Sequence, residues 1–160
     1  MRCIAPAEVQ RDFSRANSTV SENMTEPAPP LPGYTIYDPV DPFEQIAGPF
    51  FWKKLDHGSD HLVVRTEKRH GNRQGVIHGG FLLTMIDLTF AVAAKEYPEQ
   101  RLVTISLSSE FVSGGQVGSL VEAKAEIVRN TRSLCFLRGQ VYSDGETLLN
   151  ARCIYKVWRD

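Results

Sequence analysis

Hydrophobic positions along the chain follow two periods. In the C-terminal half they alternate with polar ones. Between Val117 and Arg129, residues Val121, Ala123, Ala125 and Ile127 share one parity and Glu122, Lys124 and Glu126 the other. A period of two marks a strand with one buried face. Leu102 to Val112, Leu134 to Tyr142 and Thr147 to Trp158 read the same way, and Ser143-Asp144-Gly145-Glu146 supplies a hairpin turn between the last two. Upstream, Phe50 to Asp56 and His61 to Lys68 predict a pair of strands joined by a turn at Gly58-Ser59-Asp60.

The stretch from about Gly79 to Tyr97 breaks this period. Between Phe81 and Ala94 its only polar side chains are Thr84, Asp87 and Thr89. Pro98 stops it. As a helix it would be roughly 28 Å long at about 1.5 Å per residue. A helix apolar nearly all round must be covered on most sides. Asp41-Pro42 is an N-cap followed by a first-turn proline, so a short helix is predicted there, ended by Gly48-Pro49. The order is two strands, one buried helix, then a run of antiparallel strands. This is an α+β domain in which one antiparallel sheet curls around one long central helix. A single sheet covers only part of that helix, and a second copy of the chain is the natural cover.

Seven of the nine prolines fall between Pro27 and Pro49, and the residues before Pro32 are polar without a sustained period. Residues 1–32 read as a disordered or loosely docked leader, and residues 33–160 as the single domain, with its compact part starting near Asp41. Met24 is an alternative start. At 160 residues, 42% hydrophobic and 23% charged, the chain has an ordinary globular balance. Its net charge of -1 lacks the basic excess of a nucleic-acid binder. No apolar run is long enough to span a membrane or to act as a secretory signal. Three cysteines, Cys3, Cys135 and Cys153, do not make a disulfide framework, and a cytoplasmic location is expected.

The chemistry gathers between Asn72 and Asp87. Asp87 is the one charge in the apolar part of the helix, and a carboxylate there costs several kcal/mol unless it is hydrogen-bonded. It either bridges to another element across a subunit interface or works as a general base or nucleophile. Gly79 and Gly80 sit where a helix begins. Backbone N–H groups there lack intrahelical partners and point along the helix dipole, which suits an oxyanion, although a plain loop-to-helix turn uses the same residues. His78 is a candidate base or a loop-fixing residue. It has no second His or Cys at metal spacing, so no metal site is expected. Asn72 is a turn residue or a carboxamide aimed at substrate. Arg129 and Arg132, in the turn between two strands, are solvated charges or phosphate ligands. Ser106, Ser108 and Ser109 lack the Gly-x-Ser-x-Gly context of a serine hydrolase.

Asn72, then His78-Gly79-Gly80, then Asp87 nine residues past the histidine, followed by the strand ending at Phe111 and the strand-turn-strand tail, resemble the hotdog-fold acyl-CoA thioesterases, in particular the phenylacetate-degradation (PaaI-like) clade. The resemblance spans roughly residues 43–158. It implies hydrolysis of an acyl- or aryl-acyl-CoA to free acid and coenzyme A. No cofactor is implied, since coenzyme A is part of the substrate. It implies a homodimer, or a dimer of dimers, with the site at the subunit interface and no nucleic-acid or membrane partner. In it, Gly79 N–H would hold the oxyanion, Asn72 and His78 would position the thioester and water, Asp87 would be the catalytic carboxylate, and Thr104 would orient water. Gly80, Phe81, Leu82 and Phe111 would line the substrate site, with Arg129 and Arg132 as candidate coenzyme A contacts. Asn130-Thr131-Arg132-Ser133 departs from the family pattern, in which a glycine and a basic residue are common. The rival readings are a non-catalytic hotdog module that binds acyl-CoA as sensor or scaffold, and a hotdog dehydratase or hydratase, for which no matching His-plus-acid pattern exists.

Overall fold

The computed structural model describes residues 27–37, 41–55, 60–94 and 101–158. The strands are β1 (Thr35–Ile36), β2 (Phe51–Lys54), β3 (Asp60–Arg65), β4 (Arg101–Phe111), β5 (Leu120–Asn130), β6 (Leu134–Ser143) and β7 (Glu146–Trp158). They form one seven-stranded antiparallel sheet in the order β1-β2-β3-β5-β6-β7-β4. Helix α1 (Pro42–Ala47) precedes β2, and helix α2 (Gly79–Ala94) lies in the curl of the sheet.

The alternating residues do what their period requires. Val121, Ala123, Ala125, Leu137, Val141, Leu149, Ala151 and Cys153 face inward and are buried against Met85, Ile86 and Phe90 of α2. Gly139 on β6 lets the helix come close. A Cβ there would lie 2.4 Å from the Lys124 carbonyl and 2.9 Å from both Ile86 and Phe90. Cys135 and Cys153 are free and buried, as small apolar residues of this core.

Several boundaries differ from the sequence reading. The strand expected to run through Lys68 ends at Arg65. Thr66 turns its hydroxyl onto the Ser119 carbonyl at 2.9 Å, and Lys68–His70 form a 3-10 turn. The strand expected from Val117 begins at Leu120, because Gly118 takes a positive φ of 96° in the turn before it. The domain's ordered structure begins before the compact part expected near Asp41. β1 pairs with β2, and Tyr34 packs on the outer face of the sheet, hydrogen-bonded to His61. Residues 1–26, Gly58 and Ser59 of the expected turn, and the expected helical turns from Lys95 to Tyr97 lie outside the described residues.

Candidate active site

Helix α2 is not covered all round. Gly80 is exposed, and Leu83, Thr84, Asp87 and Ala91 are half-buried. Steps of three and four residues put them on one stripe. Asp87 stands in the middle of the stripe that the sheet leaves open, so the isolated charge predicted from sequence is at the edge of the core rather than inside it.

Two strand residues hold its carboxylate. Thr104 Oγ1 donates to Asp87 Oδ1 at 3.1 Å. The Tyr155 hydroxyl lies 3.2 Å from the same oxygen and 3.0 Å from the Asp87 carbonyl. Thr104 and Tyr155 are direct partners across the β4–β7 ladder, so both side chains rise from the same face toward the helix. The ladder shifts register just after Thr104, at the β-bulge before Ser106. Bulges of this kind re-aim side chains next to functional sites. Burial first, and then the Asp87 charge, push the Tyr155 pKa well above the ordinary phenol value. Tyr155 is therefore a fixed donor at neutral pH. The same two causes push the Cys153 thiol up to about 12, which makes it an inert neighbour.

At the other end of the stripe, His78 caps α2. Its Nδ1 accepts the Gly80 N–H at 2.9 Å, and its backbone carbonyl accepts from Phe81 at 2.9 Å. With Nδ1 engaged as acceptor, the neutral ring carries its proton on Nε2. The Gly80 N–H is thus taken, while among the described residues no acceptor meets the Gly79 N–H. Phe111 lies over Gly79, where a Cβ would stand 3.0 Å from its ring. The glycine keeps that approach open.

The remaining expected residues divide. Asn72 folds its own turn. Its Oδ1 accepts from Gln74 N–H at 2.8 Å, its carbonyl accepts from Gly75 at 3.1 Å, and it borders neither cleft on the α2 stripe. Phe81 is mostly buried, stacked against Phe50 and against His70, with only its edge in a cleft. Leu82 borders neither cleft. At 2% exposure it faces the sheet, half a turn away from the open stripe. Arg129 and Arg132 are exposed at the β5–β6 turn and border neither cleft. Sequence reasoning missed Tyr155. Its signal was chemical: a buried tyrosine hydroxyl needs a partner, and Asp87 was the one charge in the helix it packs against.

Two clefts open along the stripe. One, of about 410 Å³, lies between Asp87, Thr104, Leu107 and α1. The other, of about 360 Å³, lies between His78, Gly80, His70 and α1. Among the described residues no group of three or more His, Cys, Asp or Glu side chains is placed to hold a metal ion, and no helix is long and apolar enough to cross a membrane. A carboxylate held by two hydroxyl donors, with an unfilled N–H at the start of the same helix, is the equipment of an acyl-transfer hydrolase.

Residues 74–150 match the family model described as the thioesterase superfamily. The chain is 29% identical over 110 residues, 68% of its length and 81% of the relative's, to PA0474 of Pseudomonas aeruginosa, a protein that carries an esterase name. Among solved structures, a variant of the phenylacetic acid degradation protein PaaI from Thermus thermophilus is similar at TM-score 0.66 and 26% identity, covering 72% of this chain and 98% of that one. A hypothetical thioesterase from Streptococcus pneumoniae, solved with coenzyme A, shares the fold at TM-score 0.62 and 20% identity, over 68% of this chain and 85% of that one. The chain is similar to the thioesterase superfamily over residues 74–150 and has the hotdog fold of PaaI-type proteins. The matched family and the esterase name of the Pseudomonas relative support a hydrolase.

Proposed function

We propose that the chain is a thioester hydrolase acting on an acyl- or aryl-acyl-CoA, that Asp87 is the catalytic carboxylate, and that each site is built by two copies of the chain. The observation that carries this reading is the distance along α2. Gly79 and Asp87 are eight residues apart on one helix, so their Cα atoms are separated by about 12 Å along its axis. A reacting carbonyl must sit about 3 Å from both its oxyanion donor and its attacking group. One protomer cannot meet that condition with these two groups. An antiparallel neighbour meets it by bringing Asp87 opposite the partner's Gly79. The open stripe of α2 supports such a neighbour. So does the outermost strand β4, which has no partner on its free edge among the described residues and exposes Val103 and Ile105.

On this reading the partner's Gly79 N–H takes the negative charge that develops on the thioester oxygen, and the partner's His78 offers its Nε2–H beside it. Asp87 Oδ1 is fixed by Thr104 and Tyr155, which leaves Oδ2 to take the proton of a water or to attack the acyl carbon. The coenzyme A thiolate leaves, and the acyl group departs as free acid directly when water attacks, or after water hydrolyses the anhydride when Asp87 attacks. The solved relative that holds coenzyme A supports that leaving group.

The test is release of coenzyme A from a panel of acyl-CoA esters, followed with a thiol reagent, for the wild type and for Asp87→Asn and Asp87→Ala. The expected result is saturable hydrolysis by the wild type and loss of most turnover in both variants, with the oligomer intact by light scattering. Near-normal turnover in either variant removes Asp87 from the chemistry. Absence of turnover across the panel removes the coenzyme A assignment.

A further inference from the structure

Helix α1 borders both clefts, and the ring of Phe43 does so from the middle. Phe43 and Thr84 are the residues common to the two linings. Phe43 is 61% exposed, a large apolar side chain standing over an open groove. Its position is fixed rather than loose. The Asp41 carboxylate caps α1 by accepting the Phe43 N–H at 2.8 Å. At the far end Arg69 donates to the Gly48 carbonyl, and its Nε donates to His70 Nε2 at 3.2 Å. The His70 carbonyl in turn accepts the His78 N–H at 2.8 Å, so α1 and the start of α2 are tied to the same short turn.

Polarity decides which arm of a thioester belongs here. The cleft at Asp87 has apolar walls in Phe43, Leu83, Leu88 and Leu107, and two further carboxylates, Asp41 and Glu44, at its α1 border. Both arms join the reacting carbonyl carbon. The pantetheine next to the sulfur carries amides that apolar walls leave unpaired, whereas an acyl chain suits those walls. Resting on the acyl-CoA reading above, we propose that α1 is the acyl-selecting wall of the site. Phe43 sets the reach of the acyl chain, and Asp41 with Glu44 restricts it to uncharged chains.

A series of straight-chain acyl-CoA esters of increasing length, and the same series with a terminal carboxylate, tests this by kcat/KM. One methylene in a fitted apolar pocket is worth roughly tenfold or more in kcat/KM. Phe43→Ala is expected to move the optimum to longer chains and Phe43→Trp to shorter ones. Each should change the ratio between the old and new optimum by roughly tenfold. Asp41→Asn/Glu44→Gln, in which asparagine keeps the helix cap, is expected to raise the use of carboxylated chains relative to neutral ones by roughly threefold to tenfold. The wild-type preference for neutral chains should weaken with added salt while that of the double variant does not. If wild-type enzyme hydrolyses the series but the optimum stays put in both Phe43 variants, or the charge ratio stays put in the double variant, α1 is not the acyl wall and the acyl-CoA reading stands. If the wild type hydrolyses no member, α1 is not the acyl wall proposed, and the acyl-CoA reading falls with it when aryl-acyl-CoA esters also go unhydrolysed.

Discussion

The Tyr155 hydroxyl lies within hydrogen-bond distance of both the side chain and the backbone carbonyl of Asp87. That contact ties the far side of the core to the open stripe of α2. It holds the carboxylate in one rotamer while Thr104 holds the same oxygen from the neighbouring strand. Tyr155→Phe keeps the packed ring and removes the donor. It is expected to lower kcat roughly tenfold and to cost about 1.5–3 kcal/mol of stability, as for a lost hydrogen bond to a charged group. Steady-state kinetics and a urea midpoint read the two effects separately. Unchanged kcat would reduce Tyr155 to packing.

His78 has two jobs that mutation can separate. Its Nδ1 caps α2 through the Gly80 N–H, and its ring lines the cleft at the helix start, where the proposed mechanism gives Nε2–H a donor role. His78→Ala is expected to lose about 1 kcal/mol of stability, the usual cost of a missing cap, together with turnover. Asparagine is a strong N-cap but cannot present a donor at the Nε2 position. His78→Asn should therefore recover the melting temperature and not the turnover. Recovery of both would make His78 a cap alone.

Much of this was legible in the sequence, and the reason is physical. The alternation of Val121 to Ile127 fixes which side of β5 meets α2, because only one parity is apolar. Asp87 announced itself as the one charge in an apolar helix. What stayed hidden depends on register between distant strands. That Thr104 stands opposite Tyr155 follows from the β4–β7 pairing and the bulge after Thr104, which no local pattern encodes. β1 was hidden for a different reason. Its two residues lie in a proline-rich run, and their pairing with β2 is a tertiary effect. Asn72 shows the reverse case. Its side chain already had a local use in the turn to Gln74, and the folded chain adopts it.

Gly139 is where the fold is least tolerant. A methyl group there meets the Lys124 carbonyl at 2.4 Å and the side chains of Ile86 and Phe90 at 2.9 Å. The carbonyl belongs to the paired strand β5 and cannot move without opening the ladder. Gly139→Ala is expected to destabilise by about 3 kcal/mol, the upper range for overpacking. The guanidinium unfolding midpoint measures it. A loss under about 1 kcal/mol, below the usual overpacking range, would mean that α2 can lift from the sheet.

On the outer face, His61 is 5% exposed between Tyr34 and Tyr142, with Glu122, Lys124 and Lys53 around it. Burial, then the Lys124 and Lys53 charges, lower its pKa to about 4 from 6.5. The unfolded chain therefore takes up a proton as pH falls below 6.5, and the folded chain does so only near 4. Stability due to neutral His61 is complete above about pH 6.5 and is lost as pH drops toward about 4, by an amount on the order of 3 kcal/mol. His61→Gln should flatten this part of the stability-against-pH curve, read from urea midpoints at each pH. Glu122, whose carboxyl is raised by burial, remains in both proteins. An identical slope in wild type and variant would assign the acid sensitivity elsewhere.

The shared site makes the strongest demand. If Asp87 acts with the partner's Gly79 and His78, then Asp87→Asn and His78→Ala each inactivate both sites of a homodimer. A mixed dimer of the two variants differs. One of its sites collects both lesions, and the other collects neither, because its Asp87 comes from the His78→Ala chain and its His78 from the Asp87→Asn chain. Random pairing of co-expressed chains makes half of the dimers mixed, so roughly a quarter of wild-type activity should return. Differently tagged chains allow the mixed dimer to be purified, where the expected activity rises to roughly half. A site completed within one protomer carries a lesion in every copy of the mixture. Co-expressed variants no more active than either alone would therefore place both groups in one chain and overturn the two-subunit site.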